Sequence, residues 1–257
     1  MRAHFHLSEL REIHNVEVHF FDPTVDNEDL IVFFRPLVVE VYNEYLRNRI
    51  APNFARRAGL PQIQHRLRSH VPTVESLMKG EFGEVVGTLH IERFEDKIVP
   101  TYKHSHKTSP NVPFHGMDCI AIEIMEEEDE TRLRFYFCEI KTTEAETDYP
   151  DVSYQIRESF LSLNSDEFEL EISFILRQLE AKRDLSDNEE LIVELLEMAS
   201  YEQSDLFLCP YLIADTEIYR PTYPVPFCNA QYSWPLQPKV IRFPSLNEVY
   251  LAVMRTN

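Results

Sequence analysis

Glycine is scarce in this chain, with five in 257 residues, and none of them stands in a GxxxxGK phosphate loop or a GxSxG nucleophile elbow. The chain therefore has no nucleotide-hydrolysing loop of its own, and no serine-nucleophile signature competes for its chemistry. The four cysteines, Cys119, Cys138, Cys209 and Cys228, stand singly and never as CxxC. That spacing argues against a zinc knuckle and a disulfide framework, and leaves reduced, buried thiols as the expectation. No apolar run approaches the roughly 18 residues of a membrane span, and the opening MRAHFHLSELREIH has no signal-peptide core. No membrane contact and a cytoplasmic location are expected. Positive charge is also short: the formal net charge is −19. Proteins that bind phosphate backbones unaided usually carry positive potential, so a free-standing nucleic-acid binder is disfavoured.

The acid is unevenly spread. From Tyr45 to Val74 there is no Asp or Glu, while Arg47, Arg49, Arg56, Arg57, Arg66 and Arg68 fall in that stretch. Arg56, Arg57, Arg66 and Arg68 are candidate DNA contacts, with a partner interface or a solvated surface as the alternatives. Before it lie a strand-like piece, Val16 to Phe21, an acidic turn, and an apolar segment from Leu30 to Leu46. Pro52 and Pro61 interrupt the basic stretch. Residues 1–73 are expected to form an N-terminal appendage, and residues 74–257 a core with a C-terminal extension.

Within that core the apolar residues Phe82, Val85, Val86 and Leu89 recur at helical spacing, predicting a helix from about Val74 to Leu89 with Thr73 or Ser76 as its cap. Strand-like stretches follow at His90–Tyr102, Gly116–Ile124 and Arg134–Thr143. A helical region from about Val152 to Leu179, a second helix announced by the Ser186/Glu189 capping-box spacing, and a strand at Asp205–Asp215 complete the order. With 44% apolar residues the chain can build a sizeable core, and this order predicts an α/β or α+β fold with a mixed sheet.

One strand is unusual. RFYFCEIKTT, Arg134 to Thr143, sets Glu139 and Lys141 into an otherwise apolar run, and their spacing of two puts them on one face. If the preceding hairpin turns between Glu128 and Asp129, antiparallel pairing puts Asp118 opposite Glu139 and Cys119 opposite Cys138. Two neighbouring carboxylates repel unless a cation lies between them. Hard oxygen donors suit Mg²⁺ or Mn²⁺ better than zinc, and a lysine beside such an ion can position or deprotonate the water that attacks a phosphodiester.

The glycines point to the same region. Gly80, Gly83 and Gly87 share the first core helix and Gly116 precedes Asp118. Since a helical Gly costs about 1 kcal/mol against Ala, close approach of another backbone is the expected reason. GEFGE, Gly80 to Glu84, adds Glu81 and Glu84, either of which can reach the metal.

The ordered set GEFGE, GMD, EIK and a following helix with Gln155 resembles the PD-(D/E)xK nuclease superfamily. That resemblance implies a restriction-endonuclease-like core in which Asp118, Glu139, Lys141, one of Glu81 and Glu84, and Gln155 form the catalytic set. Asp118, Glu139, Glu81 and Glu84 are then the metal candidates. Met117 stands where the superfamily usually has proline. More narrowly, KGEFGE, HGMDCIAIE and FCEIKTT are similar to the HamA family, the nuclease subunits of the Hachiman anti-phage defence system. This likeness implies a Mg²⁺-dependent DNase held in check by a helicase-like ATPase of the HamB kind. The alternatives are a catalytically inactive adaptor that binds a helicase, and a stand-alone repair or restriction nuclease.

Other features have plainer readings. EEEDE, Glu126 to Glu130, reads as a solvated hairpin tip that discourages edge pairing. His104 and His106, between Lys103 and Lys107, read as a flexible basic loop. The proline- and aromatic-rich run Tyr219–Pro235, with Trp234, reads as an interface or as an irregular cover over the sheet.

Overall fold

The structure is a computed structural model that describes residues 1, 4–49, 72–106, 116–127, 130–143, 149–182, 184–198, 205–217, 219–220 and 222–255. Its centre is a six-stranded mixed sheet of β1 (Phe5–Ile13), β2 (Val16–Pro23), β3 (Cys119–Glu127), β4 (Glu130–Thr143), β5 (Leu206–Asp215) and β6 (Lys239–Phe243). The strands lie in the order β1-β2-β6-β5-β4-β3. The two outer pairs are antiparallel, and the inner pairs β2/β6, β6/β5 and β5/β4 are parallel. Helices α1 (Asn27–Arg49), α2 (Glu75–Arg93) and α7 (Leu246–Met254) cover one face. Helices α3 (Tyr149–Ser162), α4 (Ser165–Glu180), α5 (Asp187–Glu197) and the short α6 (Val225–Cys228) cover the other. This is the expected α/β architecture, consistent with a nuclease-like fold.

Coverage on both faces explains the near-continuous apolar run of β4, as expected of a strand buried on both sides. Tyr136, Cys138 and Ile140 join the core under α1, α2 and α7, whereas Leu133, Phe135 and Phe137 join the core under α3 and α4. Phe135 and Phe137 are fully buried, each stabilising by on the order of 2 kcal/mol through transfer from water. The β3–β4 register pairs Cys119 with Cys138 and Glu127 with Glu130, so the hairpin is centred as the sequence predicts. All four cysteines are free and buried.

Several expectations are corrected. His90–Tyr102 is not a strand: α2 continues to Arg93, and only Ile98 makes a bridge, to Ile122. Neither Thr73 nor Ser76 caps α2; Val74 stands at the N-cap without a side-chain bond. The predicted helical region after β4 is two helices, divided where Asn164 and Glu167 form a capping box. The Ser186/Glu189 box is present at the start of α5. Gly83 and Gly87 of α2 answer to side chains instead of backbone. A Cβ on Gly83 would collide with Thr142 Oγ1, and one on Gly87 would lie 2.7 Å from Ile140 Cδ1, while Gly80 has no other heavy atom within 4 Å.

The sheet also runs across residue 73, because β2 pairs with β6 and Phe5, Phe34 and Phe243 share one core. The segment after Tyr219 is a cover: Tyr219, Tyr223 and Phe227 are buried against the sheet, with Trp234 packed beside them. No helix among the described residues is long and apolar enough to cross a membrane. Pro52, Pro61, Arg56, Arg57, Arg66 and Arg68 lie outside the described residues.

Candidate active site

A glycine turn delivers the first carboxylate. Gly116 has φ = 102°, a left-handed value that favours glycine, and a Cβ there would lie 2.5 Å from Glu171 Oε1. The same Glu171 oxygen accepts the Met117 N–H at 3.1 Å, tying the turn to α4. Asp118 follows, immediately before β3. Its N–H donates to the Cys138 carbonyl at 3.1 Å, and its Oδ2 accepts the Ile140 N–H at 2.8 Å. The side chain thus replaces a backbone acceptor at the end of the ladder and straddles Glu139.

Glu139 and Lys141 share one face of β4, as their spacing requires. Lys141 Nζ donates to Glu139 Oε1 and lies 3.5 Å from Asp118 Oδ2, so one ammonium joins the two carboxylates. Ser159 on α3 donates to Glu139 Oε1 at 3.0 Å. Asp118 and Glu139 are 7% and 6% exposed, which makes their charges costly. Burial, helped by the charge of Asp118, pushes the Glu139 carboxyl above its usual range, against the opposing pull of Lys141 and Ser159. For Lys141 burial disfavours the ammonium, but Asp118, Glu139 and Glu84 outweigh it and raise the pKa, so the group is held protonated.

Two further carboxylates come from α2 and have different surroundings. Glu81 is buried and accepts the phenol proton of Tyr42 on α1. Glu84 lies 3.0 Å from Nε2 of buried His104, in a geometry that leaves Nε2 without a hydrogen bond. Burial disfavours the Glu84 carboxylate, but contact with His104 and the charges of Lys103 and Lys141 overcome this and hold its pKa below the usual range. Glu84 is therefore the α2 carboxylate coupled to Lys141.

Lys103 and His104 belong to one 3₁₀ turn, Lys103–His106. Lys103 Nζ donates to Asp118 Oδ1 and to the Gly116 carbonyl, each at 3.0 Å. The stretch expected to be a loose basic loop thus inserts an ammonium and an imidazole among the carboxylates. Gln155 is exposed on α3, one turn before Ser159. Sequence reasoning missed Ser159, Glu171 and Tyr42, which carry no motif, and saw Lys103 and His104 only as a basic cluster.

The donor set bears on the divalent ion that the resemblance implies. Among the described residues no group of three or more His, Cys, Asp and Glu side chains is arranged to hold a metal. Two hard carboxylates do meet at a single ammonium, with a third close enough to act on it. Mg²⁺ is commonly held by one or two carboxylates, with water and phosphate completing its shell, and the residues fit that pattern.

The profile of the family described as HamA matches residues 3–223 of the chain. No curated protein matches it.

Proposed function

The chain belongs to the HamA family, a component of the Hachiman anti-phage defence system, and on that premise we propose that it is a metal-dependent DNA endonuclease. The observation that carries this reading is the convergence of Asp118, from the turn that leads into β3, with Glu139 and Lys141 of the adjoining β4. Asp118 and Glu139 would hold Mg²⁺ or Mn²⁺, with Glu84 better placed than Glu81 to complete the shell. Such an ion, when bound, polarises the phosphoryl oxygens and makes water more acidic.

The chain's own residues account for the rest. Lys141 is held as an ammonium, so it acts as a donor: it orients the attacking water and steadies charge developing on the phosphate, without removing the water's proton. Ser159 fixes the Glu139 oxygen that Lys141 also contacts, and Glu171 fixes the turn that carries Asp118. A chain of net charge −19 repels phosphate, which supports a partner supplying much of the grip on DNA. A helicase-like ATPase that holds the nuclease in check is the proposed partner, with Arg56, Arg57, Arg66 and Arg68 the proposed DNA contacts.

The direct test is plasmid degradation by purified protein with Mg²⁺ and with EDTA, alone and with co-expressed neighbours. Cleavage that needs Mg²⁺ and disappears in a folded Glu139→Ala, Lys141→Ala double variant is expected; cleavage by that variant removes the hypothesis. One observation favours an inactive adaptor: Asp118 and Glu139 each already have a cation from the chain itself. An adaptor would bind the ATPase yet neither take up metal nor cut DNA.

A further inference from the structure

Those internal cations carry a consequence for the site. Lys103 Nζ is 3.0 Å from Asp118 Oδ1, and the two side chains are only 11% and 8% exposed. Lys141 reaches the other oxygen, Oδ2, at 3.5 Å. Both oxygens of Asp118 are thus engaged by ammonium groups, and Oδ2 is bonded to the Ile140 N–H as well. Oδ1, which no backbone N–H is shown to hold, is the oxygen that Lys103 covers. On the α2 side the next residue of the same turn, His104, stands 3.0 Å from Glu84 while 4% exposed. Its Nε2 is a buried polar atom with no hydrogen bond. The turn is clamped by α1: the Tyr42 ring lies 5.4 Å from the His104 ring, and its phenol bonds Glu81.

We propose that Lys103, with His104 beside it, is a positioning residue that competes with the divalent ion: it ties the Gly116–Asp118 turn together through Asp118 Oδ1 and the Gly116 carbonyl and must leave Oδ1 for an ion to bind there. The inference rests on the metal-site reading and adds to it an internal competitor. Two positive groups cannot occupy one carboxylate oxygen at low cost, so ion and lysine exclude each other, and the free energy of the Lys103–Asp118 contact is subtracted from metal affinity. Lys141 differs, since its second carboxylate, Glu139, can retain it. The Lys103 ammonium, anchored to the Gly116 carbonyl at 3.0 Å, remains beside the site after displacement, where an anionic phosphodiester is a suitable new partner.

Calorimetric titration of the full-length protein with Mn²⁺ alone, without DNA, tests this. Lys103→Gln is expected to bind Mn²⁺ about ten-fold more tightly than wild type, within the usual range of such couplings. Lys103→Arg keeps the cation and should bind as weakly as wild type, and Asp118→Asn should lose binding. Thermal melts confirm that each variant is folded. If Asp118→Asn loses binding but Lys103→Gln binds no more tightly than wild type, competition is overturned and the metal site stands. If neither wild type nor Lys103→Gln binds Mn²⁺, both readings fall.

Discussion

The carboxylate of Asp118 accepts the backbone N–H of Ile140 at 2.8 Å. The proposed metal ligand is therefore also a structural acceptor at the end of the β3–β4 ladder, and the two roles separate by substitution. Asp118→Ala orphans a buried N–H and should lower stability by about 1–3 kcal/mol. Asp118→Asn keeps an acceptor oxygen for that N–H and should lose only the stability that comes from the carboxylate charge beside Lys103 and Lys141. Both should lose DNA cleavage. Urea unfolding beside a plasmid assay checks this, and an active Asp118→Asn would show that the carboxylate charge is not needed.

Ser159 of α3, not the exposed Gln155 one turn earlier, hydrogen-bonds Glu139. Removing a hydrogen bond to a charged group costs about 1.5–3 kcal/mol, so Ser159→Ala should slow cleavage roughly ten-fold or more. Gln155 is exposed, and Gln155→Ala should have the smaller effect. Single-turnover rates of the two variants decide the order; a larger loss at Gln155 would place it on the substrate.

Two glycines on α2 should respond oppositely to alanine. At Gly80 there is no heavy atom for the new methyl to meet, so Gly80→Ala should stabilise by about 0.5–1 kcal/mol through helix propensity. At Gly83 the methyl collides with Thr142 on β4, and overpacking of this kind costs about 1–3 kcal/mol. Denaturant midpoints with unchanged slopes are the measurement.

A buried ion-pair cluster sets an acid limit. Glu95 lies 3.1 Å from Lys239 and 3.5 Å from His90. Burial disfavours its charge, but these partners overcome that and pull its pKa down to about 2. The unfolded chain, with a glutamate pKa of about 4.3, binds the proton more readily than the folded one. The stabilisation is therefore full above that pH and is lost as pH falls toward 2. Glu95→Gln should cost on the order of 3 kcal/mol at neutral pH, with the gap to wild type narrowing in acid. A gap that stays constant across melts in this range would contradict the assignment.

The legible parts of the sequence were those in which one local pattern fixed the structure. The apolar run of β4 and the acidic tip at Glu126–Glu130 set the hairpin register, and through it the meeting of Asp118 with Glu139. The illegible parts depend on distant partners. At β1 only Phe5 and Ile13 are buried, so its sequence carries no clear alternation, and β6 is five residues long. Ile91, Phe94, Ile98 and Val99 look strand-like, yet α2 takes the first and a loop the others. His104 reads as a surface histidine until α1 and α2 close over it.

The position of β6 determines when the sheet can close. Arg242 on β6 grips both carboxylate oxygens of Asp22 on β2, at 2.7 and 2.6 Å, across 220 residues of sequence. The hairpin of residues 5–23 is made long before its parallel neighbour, residues 239–243. Until then β5 is an open edge, the kind of surface that chaperones and proteases recognise. Chains stopped short of Lys239 therefore keep that edge unsealed and open to pairing with other chains.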